Sequence, residues 1–206
     1  MIQPYRLSLV TPPTVEPLLL SEVKKQRRIE QDDHDEDDLL WGLMRAAREH
    51  IGGKRGLTGF ALATSVYDLF MDYWPLSGST LPMPPLQSVA WVKYTDSDGV
   101  VTTVDSTIYT VKTYADSLGR LVLNYGESWP SVTFATADPV NIRFTAGFDP
   151  AGNDGIPQIP ECLKQAMHLL IGHWYENRED TADPVPKYID RGVDSLIANW
   201  TAEHVF

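Results

Sequence analysis

The stretch from Pro160 to Arg178 constrains the fold more than any other part of the chain. Leu163, Met167, Leu170 and Trp174 recur at helical spacing and make one apolar stripe. Ala166, Leu169, Ile171 and Tyr175 widen it until little polar surface remains. A helix apolar on most sides must be buried on most sides, so other elements have to surround it. Pro160 suits its first turn, where the missing N–H costs nothing.

The partner helices lie towards both ends of the chain. Ser21 is the expected N-cap of a short helix reaching about Ile29, with Glu22 in its first turn. After the run Asp32-Asp33-His34-Asp35-Glu36-Asp37-Asp38, a stronger helix places Leu39, Leu40, Leu43, Met44, Ala47 and Ile51 on one face. Gly52, Gly53 and Gly56 stop it. Past the break Asp183-Pro184-Val185-Pro186, a last helix aligns Val193, Leu196, Ile197 and Trp200.

Between these helices the period drops to about two. Val66–Met71 and Val89–Tyr94 read as strands; Asp96-Ser97-Asp98-Gly99 is turn chemistry, after which 100–104 pairs back as a hairpin. Further strands are expected at 109–114, 120–124 and 140–146. Helices, then strands, then helices, without βαβ alternation, give an α+β fold: a bundle of about four helices with an inserted antiparallel β module. The expected divisions are an extended N-terminal arm at 1–19, helical core at 20–60 and 157–200, the β module at 61–156, and a tail at 201–206.

The 206 residues carry a net charge of −11, which argues against a surface built to grip phosphates. The single cysteine, Cys162, allows no internal disulfide and is expected to be an inert buried thiol in an apolar helix. The N-terminal residues lack the pattern of a secretory signal, and no apolar run approaches the ~20 residues of a membrane span. A soluble protein made in a cytoplasm is the expectation.

Each candidate for chemistry has a plainer reading. The acids at 32–38 are of the type that binds calcium or magnesium, but the EF-hand spacing and its glycine are missing. Capping and charge complementation of the following helix is the simpler role. Asp149, Asn153 and Asp154 sit in a Gly-rich loop that reads as a connection. His168 and His173 are five apart and do not share a face as an i, i+4 zinc pair would. There is no Gly-x-Ser-x-Gly elbow, no phosphate-binding Gly-rich loop and no dinucleotide fingerprint. Trp74, Trp91 and Trp129 lie in or beside the β module, where they suit a core, an interface or a sugar-binding face. No catalytic residue, metal site or cofactor is expected.

Several segments taken in order resemble a known family. They are Leu20-Ser21-Glu22-Val23-Lys24 through Arg28-Ile29, the acids, Leu39-Leu40 and Ala46-Ala47-Arg48. Leu81-Pro82-Met83-Pro84-Pro85-Leu86-Gln87-Ser88-Val89, Gly119-Arg120-Leu121 and Phe144-Thr145-Ala146-Gly147-Phe148 follow. Ile159-Pro160-Glu161-Cys162-Leu163-Lys164-Gln165-Ala166, Trp174-Tyr175-Glu176-Asn177-Arg178 and Gly192-Val193-Asp194-Ser195-Leu196 complete the set. From about Leu18 to Trp200 the chain resembles the head–tail connector proteins of tailed phages, also called adaptor or head-completion proteins. Related forms occur in prophages and gene transfer agents. Gly52-Gly53 departs from the resemblance, standing where the helix would be expected to continue.

The resemblance implies a structural protein without catalysis or cofactor, located in the virion neck. Such proteins form a ring with themselves, typically a dodecamer, beneath the portal protein. The ring extends the DNA channel and offers a platform for the stopper or tail-completion protein. DNA passes without specific binding, and no membrane is involved. On this reading Asp32, Asp33, Asp35, Glu36, Asp37 and Asp38 are candidates to face the channel. Trp200, Val205 and Phe206 are candidates for a portal-docking tail. The alternative is a non-enzymatic carbohydrate- or protein-binding module on a helical scaffold.

Overall fold

The computed structural model describes residues 5–115, 117–149, 155–178 and 187–201. They divide into two units. Strands build one, from residues 5–13 and Thr64–Gly147; helices build the other, from Thr14–Ala63 and the described part of Phe148–Thr201.

The helical unit contains α1 (Leu20–Arg27), α2 (Asp37–Ile51), α3 (Glu161–Glu176) and α4 (Lys187–Ile197). Helix α3 packs against the other three, as its wide apolar surface demands. It buries Leu163, Ala166, Met167, Leu170 and Ile171 against Val23 of α1, Leu40, Met44, Ala47 and Ile51 of α2, and Val193 and Ile197 of α4. Leu169, on the edge of the stripe, stays 42% exposed.

Two helix ends show how local chemistry sets the boundaries. The N-cap of α1 is Leu19, not Ser21. Glu22 reaches back so that its carboxylate accepts the Leu19 N–H at 3.2 Å, and buried Leu18 pins the preceding chain. Helix α2 does end at Gly52. The Gly53 N–H then donates to the Phe60 carbonyl at 2.7 Å and the Thr58 N–H to the Ile51 carbonyl at 2.9 Å. The turn is so tight that a Cβ on Gly56 would lie 1.9 Å from the Gly52 oxygen.

The strand unit holds two antiparallel sheets. The larger has the order β1-β2-β8-β4-β5, from β1 (Tyr5–Thr11), β2 (Ser65–Met71), β8 (Val140–Ala146), β4 (Leu86–Thr95) and β5 (Val101–Thr103). The smaller has the order β3-β7-β6, from β3 (Ser79–Thr80), β7 (Arg120–Leu123) and β6 (Tyr109–Lys112). Central strand β8 alternates strictly, burying Val140, Ile142, Phe144 and Ala146. Across from them in register lie Met71, Leu69, Tyr67 and Ser65 of β2. The opposite face is polar: Asp68 of β2 accepts two hydrogen bonds from Arg143 of β8, both 2.7 Å.

The described start of the expected N-terminal arm is a strand of the larger sheet. Tyr5–Thr11 is an edge strand, registered on β2 from Tyr5↔Met71 to Leu9↔Tyr67. The alternating run Tyr5-Arg6-Leu7-Ser8-Leu9 supplies that pairing, which the prolines after it obscure in the sequence.

Candidate functional site

The acidic run spans the connection between α1 and α2 and the first two residues of α2, and its organising group is a cation from the chain itself. Lys24 of α1 is only 2% exposed. Its ammonium donates to the Asp33 carbonyl at 2.6 Å and forms an ion pair with Asp37 at 2.5 Å. A buried ammonium is tolerable only when partners replace its water, and the loop supplies them. Asp37 also contacts His34 Nδ1 at 2.8 Å. Lys24 first, then His34, hold the Asp37 carboxyl below its ordinary range.

Glu36 is tied in a second direction. Its carboxylate accepts from the Tyr175 hydroxyl and from Arg178, at the C-terminal end of α3. Tyr175, then Arg178, lower the Glu36 pKa, and the same bond raises that of Tyr175. Asp33 accepts the Asp35 N–H at 3.1 Å in a local turn. Asp32, Asp33, Asp35 and Asp38 present their side chains to solvent. The six acids are therefore of two kinds: Glu36 and Asp37 fasten helices, while the other four form an exposed anionic strip. Sequence reasoning missed the division because its causes lie outside the run: Lys24, which reads as an ordinary helix-surface lysine, and Tyr175 and Arg178, far along the chain. Among the described residues no group of three or more His, Cys, Asp or Glu is placed to hold a metal ion.

Two further ion pairs tie the helical unit together. Arg48 of α2 donates to Glu16 at 2.8 Å, and Arg27 of α1 meets Glu176 of α3 at 3.3 Å. The Arg27 guanidinium lies so close to α3 that a Cβ on Gly172 would come within 2.3 Å of it. His168 is buried, and desolvation depresses its pKa. His173 stands beside Asn177 at 3.1 Å.

Of the C-terminal candidates, Trp200 packs edge-on against Phe60 with ring centroids 5.6 Å apart. Val205 and Phe206 lie outside the described residues, as do Asn153 and Asp154. The three tryptophans of the strand unit are engaged with their own neighbours. Trp74 and Trp129 stack at 5.0 Å, and their indole N–H groups donate to the carbonyls of Pro130 and Pro75. Lys93 and Arg143 sit over the Trp91 ring at 4.3 and 5.0 Å. No helix among the described residues is long and apolar enough to cross a membrane.

No protein-family model and no curated protein sequence matches the chain. Solved structures do. The chain is similar to one in the virion of a native gene transfer agent particle, with 29% identity and a TM-score of 0.73 over 97% of both chains. A chain in the neck of an empty gene transfer agent particle, computed with C6 symmetry, matches with 29% identity and a TM-score of 0.74. That match covers 98% of this chain and 97% of the other. A chain in the neck of a native particle, computed with C12 symmetry, matches with 26% identity, a TM-score of 0.66 and the same coverage. The likeness spans both units and agrees with the connector resemblance of the sequence.

Proposed function

We propose that this chain is a structural subunit of the neck of a phage-like particle, a head–tail connector that assembles as a ring beneath the portal. The ring extends the DNA channel and carries the stopper or tail-completion protein. The observation behind this reading is the end-to-end likeness to neck chains at 26–29% identity. The C6 and C12 symmetries of those necks favour a ring of identical copies, with a dodecamer as the expected number. The reading calls for no catalytic step; mechanism here means the geometry of interfaces.

The exposed acids Asp32, Asp33, Asp35 and Asp38 are assigned to the channel wall. A wall that repels phosphate lets DNA slide, whereas a basic wall would hold it. Glu36 and Asp37, whose charges are taken up inside the unit, contribute less. A neck reconstruction with a net-positive lumen would refute this placement.

The C-terminal end is assigned to the portal. Trp200, held by Phe60, fixes the start of the segment, and Val205 and Phe206 are the apolar residues that fill a pocket on the partner. Deleting 201–206 is expected to leave a folded protein that no longer attaches to portal-bearing heads. Normal attachment by the folded truncation refutes docking. Loss of folding shows that the segment serves its own core.

The direct assay mixes the protein with the portal of its own particle and images the product by electron microscopy. Rings stacked on the portal support the proposal; a protein that remains monomeric with portal present contradicts it.

A further inference from the structure

We propose that adjoining copies in the ring join by edge-to-edge pairing of their larger sheets, β1 of one copy lying beside β5 of the next. The inference rests on the ring reading above and adds the surface that closes the ring.

Both ends of the five-stranded sheet are open: the order β1-β2-β8-β4-β5 leaves one side of β1 and one side of β5 without a strand among the described residues. Such edges offer rows of unpaired N–H and C=O groups, which monomeric proteins guard with charges, proline or covering elements. Here charge is not the guard. Ser8-Leu9-Val10-Thr11 and Val100-Val101-Thr102-Thr103 contain no charge. Leu9 is 52% and Val10 41% exposed, Val100 56% and Val101 61%. Arg6 is the one charged residue of β1, and it is turned to Asp72 and Asp138 of its own copy.

Charge points to a second copy as the occupant. A chain of net charge −11 repels its twin wherever acids face each other. Two uncharged, β-branched edges let identical copies approach without that cost and then reward the approach with backbone hydrogen bonds.

Direction and symmetry fit as well. Every adjacent pair in the sheet is antiparallel, so four reversals give β5 the same chain sense as β1, rotated by the twist of the sheet. One step of a twelvefold ring turns a copy by about 30°, which does not reverse that sense. The joint is a parallel pair between two different edges. That makes it heterologous, the type of contact that closes rings, whereas β1 against β1 would be twofold and stop at a dimer. The register shift between Leu9 and Thr11 and the three-residue length of β5 keep the joint short, so it serves a matched neighbour rather than open-ended stacking.

Cross-linking tests the joint. In a Cys162→Ser background, Ser8→Cys and Thr102→Cys are combined in one chain, assembled on portal-bearing particles and treated with a short bis-maleimide. The expected result is a ladder of covalent multimers from the double variant and none from either single variant. Dimers from Ser8→Cys alone would overturn the proposal in favour of a twofold contact. A wild-type ring visible by electron microscopy without any ladder would overturn the joint and leave the ring reading standing. Absence of a ring under all conditions would remove both. As a second arm, Leu9→Lys with Val101→Lys is expected to cut ring yield at least several-fold while the monomer's circular dichroism and melting temperature are unchanged. Normal ring yield from that folded variant would likewise contradict the joint.

Discussion

In the strand unit the paired charges lie on the face of the sheet opposite Tyr67, Ile142 and Phe144, where Asp68 is 7% exposed but its partner Arg143 reaches solvent. In the helical unit the Lys24 ammonium is itself inside, 2% exposed and surrounded by loop oxygens. The contrast follows from what each architecture leaves undone. Backbone ladders already set the spacing and register of strands, so side-chain charges can remain on the polar face. Helices satisfy their backbones internally, so their placement depends on side chains: apolar stripes, and here the ties Lys24–Asp37, Glu36–Arg178 and Arg48–Glu16. The strand unit should therefore respond most to lost volume, and the helical unit to lost charge.

The largest effect is expected from Phe144→Ala. Phe144 is fully buried in the central strand and stacks on Tyr67 at 5.6 Å. Its removal should cost about 3–5 kcal/mol, read as a lowered denaturation midpoint. A loss under about 1 kcal/mol would mean that the sheet core is not the packed element described.

Lys24→Ala should cost about 2 kcal/mol, because it strips the loop oxygens and Asp37 of their cation. Asp37→Asn added to it should cost little more, since the two groups act as one unit. Additive losses in the double-mutant cycle would show that the pair is not coupled.

Acid should act on the helical unit through Asp37 and Glu36. Their folded pKa values are lowered, by Lys24 and by Tyr175 respectively as the leading causes. Their stabilisation is complete above the ordinary carboxylate range and drains away as pH falls through that range towards the lowered values. Asp37→Asn should flatten the acid limb of a stability–pH profile, and an unchanged limb would break the assignment.

The smallest effect concerns His168, whose pKa burial depresses. It takes up its proton at lower pH in the folded chain than in the unfolded chain. Stability is therefore full above the ordinary imidazole range and declines as pH falls through it. His168→Gln should remove that gentle slope, as followed by thermal melts between neutral and mildly acidic pH.

Much of the fold was legible because periodicity reports burial. The stripes on α2, α3 and α4 and the alternation of β8 appear directly in the residues. Strand β1 was hidden because only five residues alternate before a proline-rich segment, and its partner β2 lies far along the chain. Strand β3, two residues long, has no period to read. At the acidic run, residue type exposed the charge but not its division. That depends on which carboxylates face Lys24, Tyr175 and Arg178, a tertiary fact without a local signature.

The most direct test of the central claim is electron cryomicroscopy of the neck in the intact particle that this chain comes from. The account predicts a ring of identical copies beneath the portal, into whose density both units fit, with the larger sheets continuous from copy to copy. A neck without density for this chain would contradict it.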